Sequence, residues 1–248
     1  MNAVRTQVRQ ISIAETEPLS IQFLYDQQQF HDPKGHAAAL GICSASWPLF
    51  GMLWPSSIQL ATQIALRPVS STERILELGC GLGLASLVAH RRGAQITASD
   101  RHPMAARFLD ANQARNGLTG LRYRHAQWGA EVCSVLLGQM GVEEVSHTYD
   151  LVIASDLLYE RDTPPLLAQL MDQVAKPSAE IWVVDPNRGH HNAFSRAVSA
   201  YGFKLIKNKC LRHRTLYDEQ GEVMPYKGRL LVYQRHADSL LADLQQPS

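Results

Sequence analysis

The stretch from Arg74 to Asp100, "RILELGCGLGLASLVAHRRGAQITASD", constrains the fold more than any other part of the chain. "RILELG" is short and apolar, as a buried strand should be. Three glycines follow at alternate positions: Gly79, Gly81 and Gly83. "LASLVAHRR" then has the residue types of a helix, with Gly93 placed to end it. "AQITASD" reads as a second strand. A strand, a helix and a strand in immediate succession imply two parallel neighbours in one sheet. A glycine turn at the carboxyl end of the first strand is where such sheets hold ligands.

The alternation continues downstream. "PMAARFLDANQARNG" is a helix that opens at a proline and closes at Asn116-Gly117. "LRYRHAQW" is a third strand and "YDLVIASDLLY" a fourth that runs into a loop. "TPPLLAQLMDQVA" is a helix, "EIWVVDPN" a fifth strand and "HNAFSRAVSAYG" another helix. "FKLIKNKCLRHRTLY" and "GRLLVYQRH" follow with no helix between them. They are expected to form a hairpin, which turns one strand antiparallel at the end of the sheet. Upstream, "WPSSIQLATQIAL" is an amphipathic helix with Pro55 in its first turn.

Three chemistries compete for the glycine turn. A phosphate-binding loop needs Lys-Ser/Thr after its last glycine, and Leu84-Ala85 stand there. A dinucleotide turn, GxGxxG, wants glycine where Leu84 is. A tight turn with no ligand has no need of three glycines. Glu77 lies just before the turn, and Asp100 ends the second strand about twenty residues on. A carboxylate at that strand end accepts hydrogen bonds from ribose hydroxyls, in nicotinamide enzymes as in others. Capping of the helix that begins near Pro103 is the alternative for Asp100.

Glu77, Gly79, Gly81 and Gly83 match the E/DxGxGxG motif at each defining place, and in this the chain resembles the class I S-adenosylmethionine-dependent methyltransferases. That resemblance implies a Rossmann-like α/β fold: a seven-stranded, mostly parallel sheet with helices on both faces and an antiparallel terminal strand. It implies S-adenosyl-L-methionine as cofactor and S-adenosyl-L-homocysteine as product. The ligand is cationic and carries no phosphate, so an acid in the turn is an asset. Glu77 either orients the turn or helps hold the amino end, while the glycines allow close backbone approach. Gln127 and Trp128, ending the third strand in "AQWG", match a polar and apolar pair for the adenine. Trp128 also suits a plain core position. Ser155 at the end of the fourth strand joins the cofactor site.

Asp156-Leu157-Leu158-Tyr159 resembles the DxxY motif of the seven-β-strand protein-lysine methyltransferases. Trp54 in "LWPSSIQLA", Asn112 in "ANQARNG" and Trp128-Gly129 extend the similarity over roughly residues 50 to 190. The resemblance implies N-methylation of a lysine on a protein, with Asp156 and Tyr159 as catalytic residues. Asp156 orients the incoming amine. A lone carboxylate favours the protonated amine, so it is a poor strong base for this task. Tyr159 holds the amine by ring and hydroxyl. Trp54 lines the methionine end or the substrate channel; packing is the alternative for it, and for Tyr159. Capping is the alternative for Asp156. The D/N-P-P-Y/F signature of base-amine methyltransferases is missing, since Leu157 and Leu158 occupy the middle.

Composition narrows the remaining classes. The 248 residues are 45% apolar and carry a formal net charge of +1. That predicts a sizeable core and no global pull toward nucleic acid or an anionic membrane. Cys43, Cys80, Cys133 and Cys210 form no CxxC pair, and no metal site is expected. No signal peptide is read in the N-terminal segment, so a cytoplasmic location and a monomer are expected. Residues 1–50 read as an N-terminal cap on a methyltransferase domain spanning 51–248. Arg188, His190 and His191 read as a solvated loop, and the lysines of "KLIKNKCLRHR" as guards of a strand edge. The alternatives to a protein-lysine enzyme are a small-molecule methyltransferase on the same fold, a non-catalytic cofactor-binding protein and an NAD-dependent oxidoreductase.

Overall fold

A computed structural model describes residues 4–129, 133–212, 214–217 and 223–236, with backbone alone over 214–217 and 223–225. The described chain opens with an antiparallel hairpin, β1 (Thr6–Ile11) and β2 (Leu19–Leu24). A short helix α1 (His36–Ala39), a 3-10 turn (Trp47–Gly51) and α2 (Pro55–Leu66) follow. The alternating core is β3 (Arg74–Leu78), α3 (Leu84–Arg91), β4 (Gln95–Asp100), α4 (Ala105–Arg115) and β5 (Arg122–His125). Then come α5 (Ser134–Met140), β6 (Tyr149–Ser155), α6 (Thr163–Val174), β7 (Ala175–Asp185) and α7 (His191–Ser199). The chain closes on β8 (Lys204–Leu211), a small hairpin of β9 (Arg214–Tyr217) and β10 (Val223–Pro225), and β11 (Gly228–Gln234).

Seven strands make the main sheet, in the order β5-β4-β3-β6-β7-β11-β8. The pairs from β5 to β7 are parallel. The expected closing hairpin is present: β11 runs antiparallel to both β7 and β8. It inserts between them, so β8 becomes the edge. The order reverses between β3 and β6, which opens a crevice at their carboxyl ends.

Strands β3 and β6 each feed two cores. Ile75, Leu151 and Ile153 point to one, with α3, α4 and the N-terminal segment. Leu76, Leu78, Val152 and Ala154 point to the other, with α6 and α7. This is the period-2 alternation of a sheet covered on both faces. Leu19, Ile21, Trp47 and Phe50 share the first core with Leu84, Leu87, Phe108 and Leu109. The N-terminal layer is therefore built into the main core.

The N-terminal hairpin and α5 are additions to the elements expected from the sequence. β5 stops at His125, so Gln127 and Trp128 lie in the loop after it. α4 begins at Ala105, after Pro103, and Met104 caps it without a side-chain bond. No described helix is long and apolar enough to cross a membrane, and all four cysteines are free.

Candidate active site

The glycine turn links β3 to α3, and each of its glycines has a separate neighbour. A side chain on Gly79 would strike Leu157 at 2.4 Å, and one on Gly83 would strike Leu109 at 2.2 Å. At Gly81 the obstacle is backbone: a Cβ would lie 2.9 Å from the Phe50 carbonyl oxygen, and φ there is +52°. The turn is thus pinned between the loop after β6, helix α4 and the N-terminal segment.

Glu77 is buried beneath the turn. Its Oε2 accepts the Ser86 N–H at 2.9 Å and the Ser86 hydroxyl, which ties β3 to the first turn of α3. Burial outweighs these two bonds and pushes the carboxyl up to about 7. Of the two roles expected for Glu77, this geometry fits the orienting one. Asp100 is buried too, and burial raises its pKa. Its Oδ2 accepts the Gly81 N–H at 2.8 Å and its Oδ1 the His102 N–H at 2.8 Å. The carboxylate thereby joins the end of β4 to the turn and does not cap α4.

A cleft of about 510 Å³ lies over this crevice, within the range of a small-ligand site. Gly79, Gly81, Asp100, Trp54, Trp128, Ser155, Asp156 and Tyr159 all border it. Glu77, Gly83 and Gln127 do not line it. Gln127 is half-buried, with its side chain toward His125. Trp54 donates its indole N–H to the Leu49 carbonyl at 2.8 Å, so it stands fixed at the wall.

The N-terminal layer forms much of the opposite wall. Phe50 stacks on His102 at 3.8 Å between ring centres, 10° from parallel, with Trp47 edge-on to the same imidazole. His102 Nδ1 accepts the Met104 N–H at 3.2 Å. Burial, with Arg101 nearby, pushes His102 down to about 3, so it is neutral at ordinary pH. Phe50, Arg101 and His102 escaped the sequence reading. The stack joins residues far apart in sequence, and no local spacing signals it.

At the β6 end of the cleft, Asp156 adopts φ +56°, uncommon for a residue with a side chain. Its N–H donates to the Val184 carbonyl at 2.9 Å. Its carboxylate accepts two N–H groups of Arg188, Nε at 2.6 Å and a terminal nitrogen at 3.1 Å. The Arg188 guanidinium, expected in a solvated loop, therefore belongs to the cleft. The ion pair raises its pKa further. Tyr159 is 37% exposed, at the mouth; partial burial raises its phenol pKa.

The sheet order and the crevice at the switch point are those of the class I methyltransferase fold. Solved structures agree on the fold. The ribosomal protein L11 methylase of Lactobacillus delbrueckii subsp. bulgaricus superposes with a TM-score of 0.54 at 16% identity, over 75% of this chain and 81% of that one. SMU.776, solved with S-adenosylhomocysteine, gives 0.57 at 12%, over 94% of this chain and 57% of that one. The model of the lysine methyltransferase family matches residues 49–199, and the chain belongs to that family. Among its relatives, Protein N-lysine methyltransferase METTL21A of Danio rerio is 29% identical over 136 residues, 53% of this chain and 60% of that protein. EEF1A lysine methyltransferase 3 of Mus musculus is 25% identical over 190 residues, 72% of this chain and 78% of that protein. The electron transfer flavoprotein beta subunit lysine methyltransferase of Danio rerio is 26% identical over 144 residues, 57% and 51% respectively.

Proposed function

We propose that this chain transfers a methyl group from S-adenosylmethionine to a lysine side chain of a protein. One observation carries the reading. An acid–glycine floor suited to a nucleoside and the Asp156–Tyr159 pair border one cleft, and Tyr159 reaches its open mouth. The relatives named for lysine methylation support the same acceptor class.

The cleft fits the cofactor in its donor set. Each Asp100 oxygen accepts one backbone N–H and keeps a lone pair for a ribose hydroxyl. Gly79 and Gly81 present backbone without side chains. Trp54 and Trp128 supply apolar wall, and Ser155 a hydroxyl at the β6 end. Glu77 and Gly83 hold the turn from behind. Gln127 does not line the cleft, so the adenine-side role falls to Trp128. Bound there, S-adenosylmethionine supplies an electrophilic methyl. The chain's own residues orient the acceptor: Asp156 takes a hydrogen bond from the amine, and Tyr159 confines it at the mouth. Residues 1–50 act as a cap, through Phe50 and the wall it builds.

The test is incubation of purified protein with methyl-labelled cofactor and cell extract, followed by identification of the labelled residue. Methyl-lysine on protein is expected, lost in Asp156→Asn and reduced in Tyr159→Phe. Label confined to small molecules or RNA overturns the acceptor assignment.

A further inference from the structure

The Asp156–Arg188 pair is a built feature. Among the described residues with side chains, three have positive φ: Glu15, Asp156 and Asn187. Two of the three set up this contact. Asn187 (φ +63°) and Gly189 (φ +92°) flank Arg188. The Asn187 N–H donates to Asp185 Oδ2 at 2.9 Å, and its side-chain oxygen accepts Arg229 Nε at 2.6 Å. Strained backbone held by such a network marks a position the fold over-determines. The Asp156 side chain is 9% exposed and that of Arg188 41%, so the acid faces inward and the guanidinium covers it.

Lysine methylation sets a charge problem at this acid. The amine must present a lone pair, yet a bare carboxylate stabilises its ammonium form. A bidentate arginine removes most of that bias and takes one lone pair from each carboxylate oxygen. One lone pair per oxygen stays available. We propose that Arg188 is a positioning residue of the transfer site: it neutralises and fixes Asp156, so that an amine is received there as a neutral nucleophile and is not held as ammonium. The inference rests on the methyl-transfer reading of the cleft and deepens it.

The other charged and titratable groups around the pair leave this balance in place. Asp185 lies behind it on β7, within the influence of His191 and Arg229. Tyr226, before β11, shares a 3.0 Å hydrogen bond with Ser56 of α2, and its phenol is pushed up to about 12 by burial, so it stays neutral. Tyr159 and Glu160 follow β6, and across the cleft Asp100 ends β4 and Arg101 follows it. Of these cations, Arg188 alone bonds the Asp156 carboxylate among the described residues.

The test needs no acceptor. S-adenosylhomocysteine and sinefungin, an analogue with an amine-bearing carbon in place of the methylsulfonium, are titrated calorimetrically into the full chain. The series covers pH of about 7 to 10.5, which reaches the range where an alkyl amine loses its proton. The readout is the ratio of the two affinities. In Arg188→Gln the ratio shifts toward sinefungin roughly tenfold or more, and the pH at which that preference fades rises by about one unit. Arg188→Lys stays near the wild-type ratio, and the double variant Asp156→Asn/Arg188→Gln returns toward it. Arg188→Met serves the same comparison where the glutamine variant fails to fold. Unchanged ratio and pH dependence in variants that still bind S-adenosylhomocysteine overturn the role of Arg188 while the methyl-transfer reading stands. Failure of the wild type to bind either compound overturns both.

Discussion

Gly81 and Glu77 act on opposite sides of the same turn. At Gly81 any side chain is refused twice, by φ +52° and by the Phe50 carbonyl 2.9 Å from the position of a Cβ. Gly81→Ala is expected to cost about 1–3 kcal/mol of stability and to weaken S-adenosylhomocysteine binding at least tenfold. Thermal melts with and without that ligand measure both, and an unchanged ligand shift contradicts the account. Glu77 gives a pH signature. Its carboxyl lies at about 7 in the fold against an unperturbed 4.5, so the fold prefers the protonated acid. That contribution is complete below the unperturbed value and is lost as pH rises through about 7. It amounts to ~3 kcal/mol across the window. Glu77→Gln cannot ionise and keeps an acceptor for the Ser86 N–H. The stability difference, wild type minus variant, should therefore fall steadily between about pH 4.5 and 7. A flat difference would show that Ser86 compensates the buried charge.

Among the elements, the β-α alternation was legible because period-2 and helical patterns are local properties of the chain. The glycine motif, Asp100 and the Asp156–Tyr159 pair were legible for the same reason, as short motifs at strand ends. The hairpin β1–β2 left a fainter trace, the alternating apolar Leu19, Ile21 and Phe23 of "LSIQFL". Arg188 was hidden because its partner lies 32 residues away, and only the adjacent ends of β6 and β7 bring them together. The attachment of the hairpin was hidden likewise. Asn112 of α4 accepts the Gln22 N–H at 2.7 Å and donates to the carbonyls of Gln22 and Leu82, both at 3.2 Å. Asn116 pairs with Ser20 in the same way, at 2.9 Å each. Two asparagine side chains thus bond the backbone of β2, and Asn112 also reaches the glycine turn. Asn112→Ala strands three backbone groups, at a cost of about 2–3 kcal/mol, and should lower Tm by roughly 5–10 °C. Hydrogen exchange should quicken first at Gln22, whose N–H loses its side-chain acceptor. Uniform quickening across the sheet would deny this local role.

At the scale of the whole molecule, the cleft exists only because a second layer closes over the switch point between β3 and β6. That layer is no detachable lid. Leu19, Ile21, Phe23 and Leu24 are buried in the core they share with α3 and α4. Four such side chains contribute roughly 6–12 kcal/mol, an upper estimate. This is of the same order as the entire stability of a typical domain, about 5–15 kcal/mol. A chain beginning at residue 31 gives up this burial and the bonds of Asn112 and Asn116. It also leaves the apolar faces of α3 and α4 open to water, where they favour association. We expect it to aggregate, or to melt without a cooperative transition, and to show no rise in Tm with S-adenosylhomocysteine. Size-exclusion chromatography and calorimetry decide the matter. A monomeric truncated chain that melts cooperatively and still binds the ligand would make the hairpin β1–β2 an accessory, and the chain from residue 31 onward sufficient for the cofactor.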